Sequence, residues 1–376
     1  ACAVERAGIF GITVQQIAID GPAVLQRVRS ERDHFASATR ASIEELPEGV
    51  AKITAKTIII ATGSHPVLPK AFANLGKAAL TSDTIFELED LPESLAVVGS
   101  GAIGLELAQA FAHLGVKVSL FDQAETLAKL QTIDLHLGVK VVPSPCEGGV
   151  KLQWSGSSKG EGRFDRVLVA VGREPQLNKL ELGKANLKRD DRGALIHDRA
   201  TMRCGESSIF LAGDVAADLP LLHEASHDGA IAGKNAAAYP AAIKIPRYPA
   251  FSITFTEPVL ASIGASEAEG AVSGTAVFTE QGRARVEACA KGVATIYAAA
   301  PDGRLIGADL MAPAGEHLAH LLTWAIQNDM TASRLLEMPF YHPTVEEGLK
   351  SALRTICAAT PIDLPDSQDT GAPAGG

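Results

Sequence analysis

Residues 95–122 read LAVVGSGAIGLELAQAFAHLGVKVSLFD, and this stretch decides the fold. An apolar run at 95–98 leads into a glycine turn that ends at Gly104, and apolar positions at helical spacing follow it. Gly115 is placed to end that helix, and residues 116–121 then form a second apolar run typical of a strand. The order strand, glycine turn, helix, strand predicts an α/β fold built on a parallel sheet.

The glycine turn has the GxGxxG spacing of a dinucleotide-binding loop. Gly99 permits the tight turn, Gly101 lets the backbone approach a pyrophosphate, and Gly104 allows close packing of helix on strand. The helix N-terminus then offers free N–H groups and a positive dipole end to the phosphates. This context predicts a dinucleotide site, and the alternative is a glycine turn in another kind of α/β unit.

Asp122 ends the second strand, where a carboxylate accepts hydrogen bonds from the adenosine ribose hydroxyls. A 2′-phosphate at that place would meet a like charge, and the next residues, Gln123 and Ala124, supply no arginine to receive it. We therefore expect NAD rather than NADP. The alternative for Asp122 is a solvated surface aspartate.

Composition narrows the class of protein. The 376 residues give room for two or three domains, and 46% hydrophobic with 21% charged residues is ordinary for a globular protein. The net charge of −10 argues against nucleic acid or an anionic membrane as a partner. No apolar run approaches the roughly 18–20 residues of a transmembrane helix, and no signal peptide is recognisable.

The cysteines are scattered singly along the chain. They are Cys2, Cys146, Cys204, Cys289 and Cys357. Their spacing forms neither a disulfide framework nor a metal site, so we expect no metal and a reducing, cytoplasmic location. Each is predicted to be a small buried hydrophobe rather than a nucleophile.

Residues 342–347 near the C-terminus read HPTVEE, ahead of an apolar helical run. A histidine oriented by a carboxylate can transfer a proton, because the carboxylate fixes the imidazole tautomer and raises its basicity. His342 and Glu347 are the candidate pair, with Glu346 as a neighbouring acid. The alternative is a surface histidine before a helix whose first turn is acidic, which the helix dipole favours.

Together, the fingerprint with Asp122 and the HPTVEE segment resemble the flavin- and NAD(P)-linked disulfide reductases, and within them the dihydrolipoamide dehydrogenase-like members. Three more segments extend the resemblance: ATGS at 61–64, VGREP at 171–175 and AGD at 212–214. The cofactors it implies are FAD and NAD. The residues that it assigns to FAD are Ala61, Thr62, Gly63, Gly213 and Asp214.

The resemblance also gives finer roles. Asp214 would bond the flavin ribityl chain, Gly172 would belong to the NAD site, and Glu106 would lie near the nicotinamide ring. The alternative for Asp214 is an Asx-turn residue at a strand end, and for Glu106 an ordinary exposed helical glutamate. His342 and Glu347 would form the catalytic pair that completes the active site of the partner in a homodimer.

The fold class implied is α/β, with two Rossmann-like dinucleotide-binding domains and a C-terminal α+β dimerisation domain. The expected FAD-binding domain is discontinuous and incomplete, from 1–90 and 196–246, around an NAD-binding domain at 91–195. The dimerisation domain is expected at 247–357, and a disordered tail at 358–376.

The implied activity is oxidation of a dithiol, such as dihydrolipoamide or a lipoyl domain, with NAD as the final acceptor. His342 would take the thiol proton while a cysteine pair carries electrons to the flavin. The family's first flavin GxGxxG unit and its CxxxxC pair are not found in these residues. A parallel sheet without that unit would expose an edge and an apolar face.

Two internal junctions, around 42–57 and 125–142, also look short for the family. Missing parts of a longer natural chain, a truncated reading frame and a genuinely shortened paralogue all stay open. We expect little or no disulfide reductase activity from these residues alone. Two other interpretations are a flavin–NAD(P)H reductase with a non-disulfide acceptor, and a redox-inactive truncated paralogue that serves as a dimeric binding subunit.

Overall fold

The computed structural model describes residues 2–14, 17–44, 54–125, 133–266, 268 and 270–360. The chain divides into two compact units: one combines Ala1–Ile17 with Tyr248–Gly376, and the other is Ala18–Arg247. The short junctions suggested by the sequence include 45–53 and 126–132, which lie outside the described residues, as does 361–376 of the expected tail. The domain boundaries given above stay predictions.

The helices of the described residues are α1 (Cys2–Ala7), α2 (Gly21–Glu44), α3 (Lys70–Ala73), α4 (Ala102–His113), α5 (Leu222–Ala238), α6 (Gly282–Val286), α7 (Gly315–Gln327), α8 (Ala332–Leu336) and α9 (Leu349–Ala359). The strands are β1 (Ile58–Ile60), β2 (Ser64–Pro66), β3 (Ala79–Leu80), β4 (Ser94–Val98), β5 (Lys117–Phe121), β6 (Asp134–His136), β7 (Val139–Cys146), β8 (Gly149–Gly156), β9 (Gly160–Phe164), β10 (Arg166–Val169), β11 (Arg173–Pro175), β12 (Ile209–Leu211), β13 (Phe251–Thr254), β14 (Val259–Gly264), β15 (Val272–Val277), β16 (Val293–Ala299) and β17 (Arg304–Ala312). None of the helices so described is both long and apolar enough to cross a membrane.

A five-stranded parallel sheet forms the centre of the 18–247 unit, in the order β3-β10-β4-β5-β6. Leu95, Ala96 and Val97 on β4 have no exposed surface, as expected for a parallel strand that is covered on both faces. Helix α4 connects β4 to β5 and ends at His113, two residues before the predicted stop at Gly115, which has a φ of +89°. The βαβ unit predicted from 95–122 is confirmed.

Beside this sheet lies an antiparallel meander, β7-β8-β9, which the sequence reasoning did not foresee. Its first hairpin joins Cys146 to Gly149 through a two-residue turn, in which Gly148 has a φ of +79°. Two-residue turns with a glycine at positive φ are the favoured hairpin connection. The pair Glu147-Gly148 between two apolar runs was therefore the signal that could have predicted it.

A second parallel sheet in the same unit has only two strands among the described residues, β1 and β12. Ile60 is buried, but the side chains before it on β1 are not: Ile58 is 52% exposed and Ile59 is 42% exposed. Two apolar side chains of β1 are therefore left largely uncovered among the described residues. A separate antiparallel pair, β2 and β11, brings residues 64–66 against residues 173–175.

The other unit is built on an antiparallel sheet in the order β13-β14-β17-β16-β15. Helices α7, α8 and α9 contribute to one apolar core with this sheet. Leu349, Ala352, Leu353 and Ile356 on α9 are all fully buried, as their helical spacing predicts. A Cβ at Gly274 of β15 would lie 2.0 Å from the carbonyl oxygen of Ala352, so the glycine permits this close helix–sheet packing. Because α9 runs to Ala359, the first residues assigned to a disordered tail are helical.

Candidate functional site

The glycine turn between β4 and α4 has the geometry that a phosphate-binding loop requires. Gly99 has a φ of +107°, and a Cβ there would lie 2.3 Å from the carbonyl oxygen of Ala170. A Cβ at Gly104 would lie 2.0 Å from the carbonyl oxygen of Gly99, so the helix can pack this closely only on a glycine. A Cβ at Gly101 would meet nothing within 4 Å. The backbone at Gly101 therefore borders open space at the N-terminus of α4, where a pyrophosphate could approach.

Asp122 lies at the carboxyl end of β5, beside this turn. Its Oδ2 accepts a hydrogen bond from the backbone N–H of Ser100 at 2.6 Å, and its Oδ1 accepts one from Ala124 at 2.7 Å. Burial opposes ionisation, but the hydrogen bonds from Ala124 and Ser100 outweigh it and hold the pKa of Asp122 below its ordinary value. The carboxylate is thus fixed and charged at neutral pH, as a ribose-binding acid would be.

A cleft of about 1250 Å³ runs past the glycine turn and Asp122. The predicted site residues that line it are Gly99, Gly101, Asp122, Gly172 and Asp214. Ser64 and Arg173, from the ATGS and VGREP segments, line it as well. One cleft therefore joins the dinucleotide fingerprint to parts of the segments that resemble flavin contacts.

The other predicted residues of that unit are placed differently. Gly104 lies behind the turn, and Glu106 lies on α4 outside the cleft lining, so its nicotinamide role stays a prediction. Ala61, Thr62 and Gly63 follow β1 as a loop, in which the Thr62 hydroxyl donates to the carbonyl oxygen of Gln176 at 2.7 Å.

Gly213 and Asp214 begin a short 3-10 turn directly after β12. Gly213 has a φ of +75°, and its N–H donates to Oδ2 of Asp228 on α5 at 3.2 Å. The Asp214 carboxylate accepts a hydrogen bond from the Ser64 hydroxyl at 2.7 Å. Asp228 was not predicted from the sequence, because nothing local to α5 indicates which backbone group its side chain reaches.

A buried charge cluster supports α5 behind that turn. Arg247 forms salt bridges with Glu224 and with Asp228, the latter at 2.6 Å between Nη1 and Oδ1. Both carboxylates are almost fully buried. A buried carboxylate without a partner is costly, so loss of Arg247 should destabilise this cluster.

His342 and Glu347 come together in the other unit. Nδ1 of His342 lies 3.0 Å from Oε2 of Glu347, and the backbone N–H of Thr344 donates to the same oxygen at 3.1 Å. The Glu347 side chain is 7% exposed and the His342 side chain 57% exposed. The buried Glu347 carboxylate therefore holds one nitrogen of an accessible imidazole. Lys350 lies 3.8 Å from Oε1, the other oxygen of Glu347.

The cysteines with described side chains form no disulfide: they are Cys146, Cys204, Cys289 and Cys357. Burial raises the pKa of Cys204 to about 11 and also raises the pKa of Cys357. Burial and the neighbouring Glu287 raise the pKa of Cys289. These are properties of inert thiols rather than of nucleophiles. No cluster of potential metal ligands occurs among the residues with described positions.

The residues present fit both dinucleotides in part. The open backbone at Gly101 and the fixed carboxylate of Asp122 fit the pyrophosphate and adenosine ribose of NAD. Asp214 at the cleft, beside the positive-φ Gly213, fits the ribityl end of a flavin. A second GxGxxG loop for the flavin phosphates does not occur in the 376 residues.

The pyridine nucleotide-disulphide oxidoreductase family model matches residues 24–229, and the dimerisation domain model of the same family matches residues 250–353. The chain belongs to the pyridine nucleotide-disulphide oxidoreductase family. The predicted fold class and family are thereby confirmed, and so is the expectation of FAD and NAD(H), which this family uses. The second match supports a homodimer.

Relatives named dihydrolipoyl dehydrogenase are similar in sequence to this chain over most of its length. That of Chlamydia muridarum is 29% identical over 410 aligned residues, which cover 97% of this chain and 86% of the relative. The Haloferax volcanii protein is 31% identical over an alignment that covers 81% of this chain and 69% of the relative. The interpretation as an oxidoreductase of the dihydrolipoyl dehydrogenase type, acting on sulfur groups, is confirmed at this level of similarity.

A solved structure shares the fold. LpdA from Mycobacterium tuberculosis superposes with a TM-score of 0.79 at 21% identity, over 94% of this chain and 86% of that one. The 410-residue alignment with the Chlamydia muridarum protein is longer than the 376-residue chain, so that relative has internal residues without a counterpart here.

Proposed function

We propose that this protein, as the natural full-length polypeptide, oxidises a dithiol with NAD as the electron acceptor, which is the dihydrolipoyl dehydrogenase reaction. His342 and Glu347 would be its proton-transfer pair. The observation that carries the proposal is the 3.0 Å contact between Nδ1 of the exposed imidazole and the buried Glu347 carboxylate. The substrate we propose is a small dithiol or a lipoyl domain. We also propose that it acts as a homodimer. A reducing, cytoplasmic compartment accords with the cysteines whose side chains are described, since these form no disulfide.

The geometry explains how His342 would act. The Glu347 carboxylate can only accept a hydrogen bond, so Nδ1 of His342 carries the proton and donates to it. The lone pair of the neutral imidazole then lies on Nε2, the nitrogen that a substrate thiol would meet. Removing the thiol proton leaves a thiolate, which is the nucleophilic form of sulfur. The Thr344 N–H also donates to Glu347, and Lys350 lies 3.8 Å from it, so the carboxylate has further contacts that keep it directed at the ring.

In the net reaction the two S–H bonds of the dithiol break and one S–S bond forms. Two electrons and one proton would pass to NAD as a hydride, and the second proton would pass through His342 to solvent. Bound FAD and NAD would supply the electron transfer and the hydride acceptor. Among the chain's own residues, Asp122 and the glycine turn would hold the adenosine and pyrophosphate of NAD. Asp214 would hold the ribityl chain of the flavin. These roles rest on the cleft geometry and on the family resemblance together.

The test is His342→Ala in the natural polypeptide, with His317→Ala on α7 as a matched surface control. We expect at least a hundredfold loss of dihydrolipoamide turnover, because a positioned acid–base group contributes about 10² to 10⁴-fold to rate. Electron transfer from NADH to a dye needs no thiol proton and should stay within about twofold. Equal loss of both activities, or no loss of either, would contradict the role of His342.

A second candidate is a flavin–NAD(P)H reductase that passes electrons to a non-disulfide acceptor. It is favoured by the cysteines, since each described thiol with a resolved pKa shift is shifted upwards and none is paired. The intact mass of the natural polypeptide and its lipoamide turnover separate the two. A chain of 39.2 kDa with dye reduction but no lipoamide turnover would favour the reductase. A heavier chain that oxidises dihydrolipoamide would favour the first proposal.

A further inference from the structure

Three segments that are far apart in the sequence meet in one polar chain at the cleft. The Arg173 Nε donates to the Ser64 hydroxyl oxygen at 2.8 Å, and the Ser64 hydroxyl donates to Oδ2 of Asp214 at 2.7 Å. We call this series of two hydrogen bonds the Arg173 relay. All three residues line the cleft. Each comes from a different segment: VGREP, ATGS and AGD.

The direction of the relay is fixed by its chemistry. A guanidinium can only donate and a carboxylate can only accept, so the single proton of the Ser64 hydroxyl must point at Asp214. The charge at each end strengthens the bond beside it, because hydrogen bonds to ionised groups are shorter and stronger than neutral ones. Arg173 Nε itself lies 3.9 Å from Oδ2 of Asp214, too far for a direct hydrogen bond.

Arg173 is held independently of Asp214. Its Nη2 donates to the Ser64 carbonyl oxygen at 3.0 Å, and its Nη1 donates to the Ser82 hydroxyl at 3.2 Å. Asp83 lies 3.8 Å from Nη1. The pairing of β11 with β2 places Pro175 opposite Ser64 and so sets this reach. The guanidinium is therefore a fixed point from which Ser64, and through it Asp214, can be oriented.

The relay leaves the other oxygen of Asp214 available. Among the described residues, no hydrogen bond reaches Oδ1 of Asp214. We propose that Arg173, acting through Ser64, is a positioning residue that turns Asp214 so that Oδ1 accepts a hydrogen bond from a ribityl hydroxyl of the flavin. This rests on the flavin role proposed above for Asp214. Neither Arg173 nor Ser64 needs to touch the flavin for this effect.

The experiment is a double-mutant cycle on FAD affinity, measured by titrating the flavin-free full chain with FAD and following flavin fluorescence. The variants are Ser64→Ala, Arg173→Met and the two combined. Arg166→Met is the matched control, since Arg166 donates to the carbonyl oxygen of Asp165 and does not line the cleft. Ser64→Thr keeps the hydroxyl and tests rescue. Thermal unfolding without FAD is measured on every variant.

We expect each single change to weaken FAD binding about tenfold, which corresponds to about 1.4 kcal/mol. The combined variant should also bind FAD about tenfold more weakly and no worse, because both changes break the same series of hydrogen bonds. Ser64→Thr and Arg166→Met should bind FAD within about threefold of the natural protein. Losses that multiply to about a hundredfold in the combined variant would overturn the relay, since Arg173 would then act without Ser64.

Asp214→Asn separates this inference from the proposed function. If it weakens FAD binding while Ser64→Ala and Arg173→Met do not, the relay is wrong and the flavin role of Asp214 stands. If none of the three changes affinity, the flavin role is wrong and the inference falls with it. If the natural chain binds no FAD, the proposed flavin role is refuted. Thermal unfolding then tests the relay. If the effects of Arg173→Met and Asp214→Asn on unfolding temperature are still non-additive in the Ser64→Ala background, the relay is wrong.

Discussion

The two parallel sheets of the 18–247 unit are stabilised in different ways. In the five-stranded sheet, β4 is covered on both faces, and Leu95, Ala96 and Val97 have no exposed surface. The two-stranded sheet has a smaller covered part: Phe210 and Leu211 on β12 are buried in an apolar core, but Ile58 and Ile59 on β1 remain about half exposed. Apolar burial therefore stabilises the sheet that carries the NAD fingerprint.

Around the two-stranded sheet, charged networks add to the apolar core that contains Phe210 and Leu211. The Arg173 relay holds the turn after β12 from one side, and Arg247 with Glu224 and Asp228 holds it from the other. Such networks are sensitive to the loss of a single member, because the remaining charges stay buried without a partner. The difference predicts that the two sheets respond to different substitutions.

The largest effect is expected from Arg247→Met. It leaves Asp228 buried without its cation and Glu224 with Arg199, at 3.9 Å, as its remaining arginine, which should cost about 3–5 kcal/mol of unfolding free energy. Chemical denaturation of the 376-residue chain measures it, with Arg163→Met on the surface strand β9 as the control. The triple variant Arg247→Met, Glu224→Gln, Asp228→Asn should regain part of the loss. A loss below about 1 kcal/mol in the single variant would contradict a stabilising role for this buried charge cluster.

A matched pair of apolar truncations tests the comparison directly. Leu95→Ala empties a fully buried site and should cost about 2–5 kcal/mol, as large-to-small changes in cores do. Ile58→Ala removes a side chain that is half exposed and should cost less than about 1 kcal/mol. The readout is the unfolding midpoint in denaturant for both variants. Equal costs would mean that the Ile58 face is covered in solution.

The smallest expected effect is a pH dependence from His197 and Asp218, which lie 3.1 Å apart between Nε2 and Oδ2. Burial lowers the pKa of His197, but the hydrogen bonds with Asp218 and the Leu195 carbonyl outweigh it and raise the pKa above 6.5. The pair should therefore contribute about 1 kcal/mol of stability that is fully present below pH 6.5. That contribution is lost as pH rises through the raised pKa of the folded state.

The measurement is unfolding free energy from pH 6 to 9 for the natural chain and His197→Gln. The difference between them should shrink as pH rises. At low pH the same pair weakens again. Burial raises the pKa of Asp218, but His197 and Arg199 outweigh it and lower that pKa below 3.8. The contribution of Asp218 is therefore lost only as pH falls through this lowered pKa. His65→Gln on β2 serves as an exposed control, and a difference that grows with pH would refute the assignment.

How far sequence reasoning reached depends on the distance between the partners along the chain. The glycine turn, α4 and Asp122 were predictable because they lie within 28 consecutive residues with one periodicity. The His342 and Glu347 pair was predictable because the two residues lie only five positions apart in the sequence. Ser64 and Arg173 stood inside segments that the resemblance had singled out, yet nothing in either segment indicated that they bond to each other.

The sequence by itself determined the βαβ unit, the dinucleotide fingerprint and the histidine–glutamate pair, since local spacing and backbone sterics are enough to specify them. Only the tertiary structure decided which polar groups share a proton across the cleft. Ser64 reaches Asp214 over 150 residues, and Arg173 reaches Ser64 over 109. The physical reason is that strand pairing and burial place such partners together, and neither leaves a local pattern in the chain.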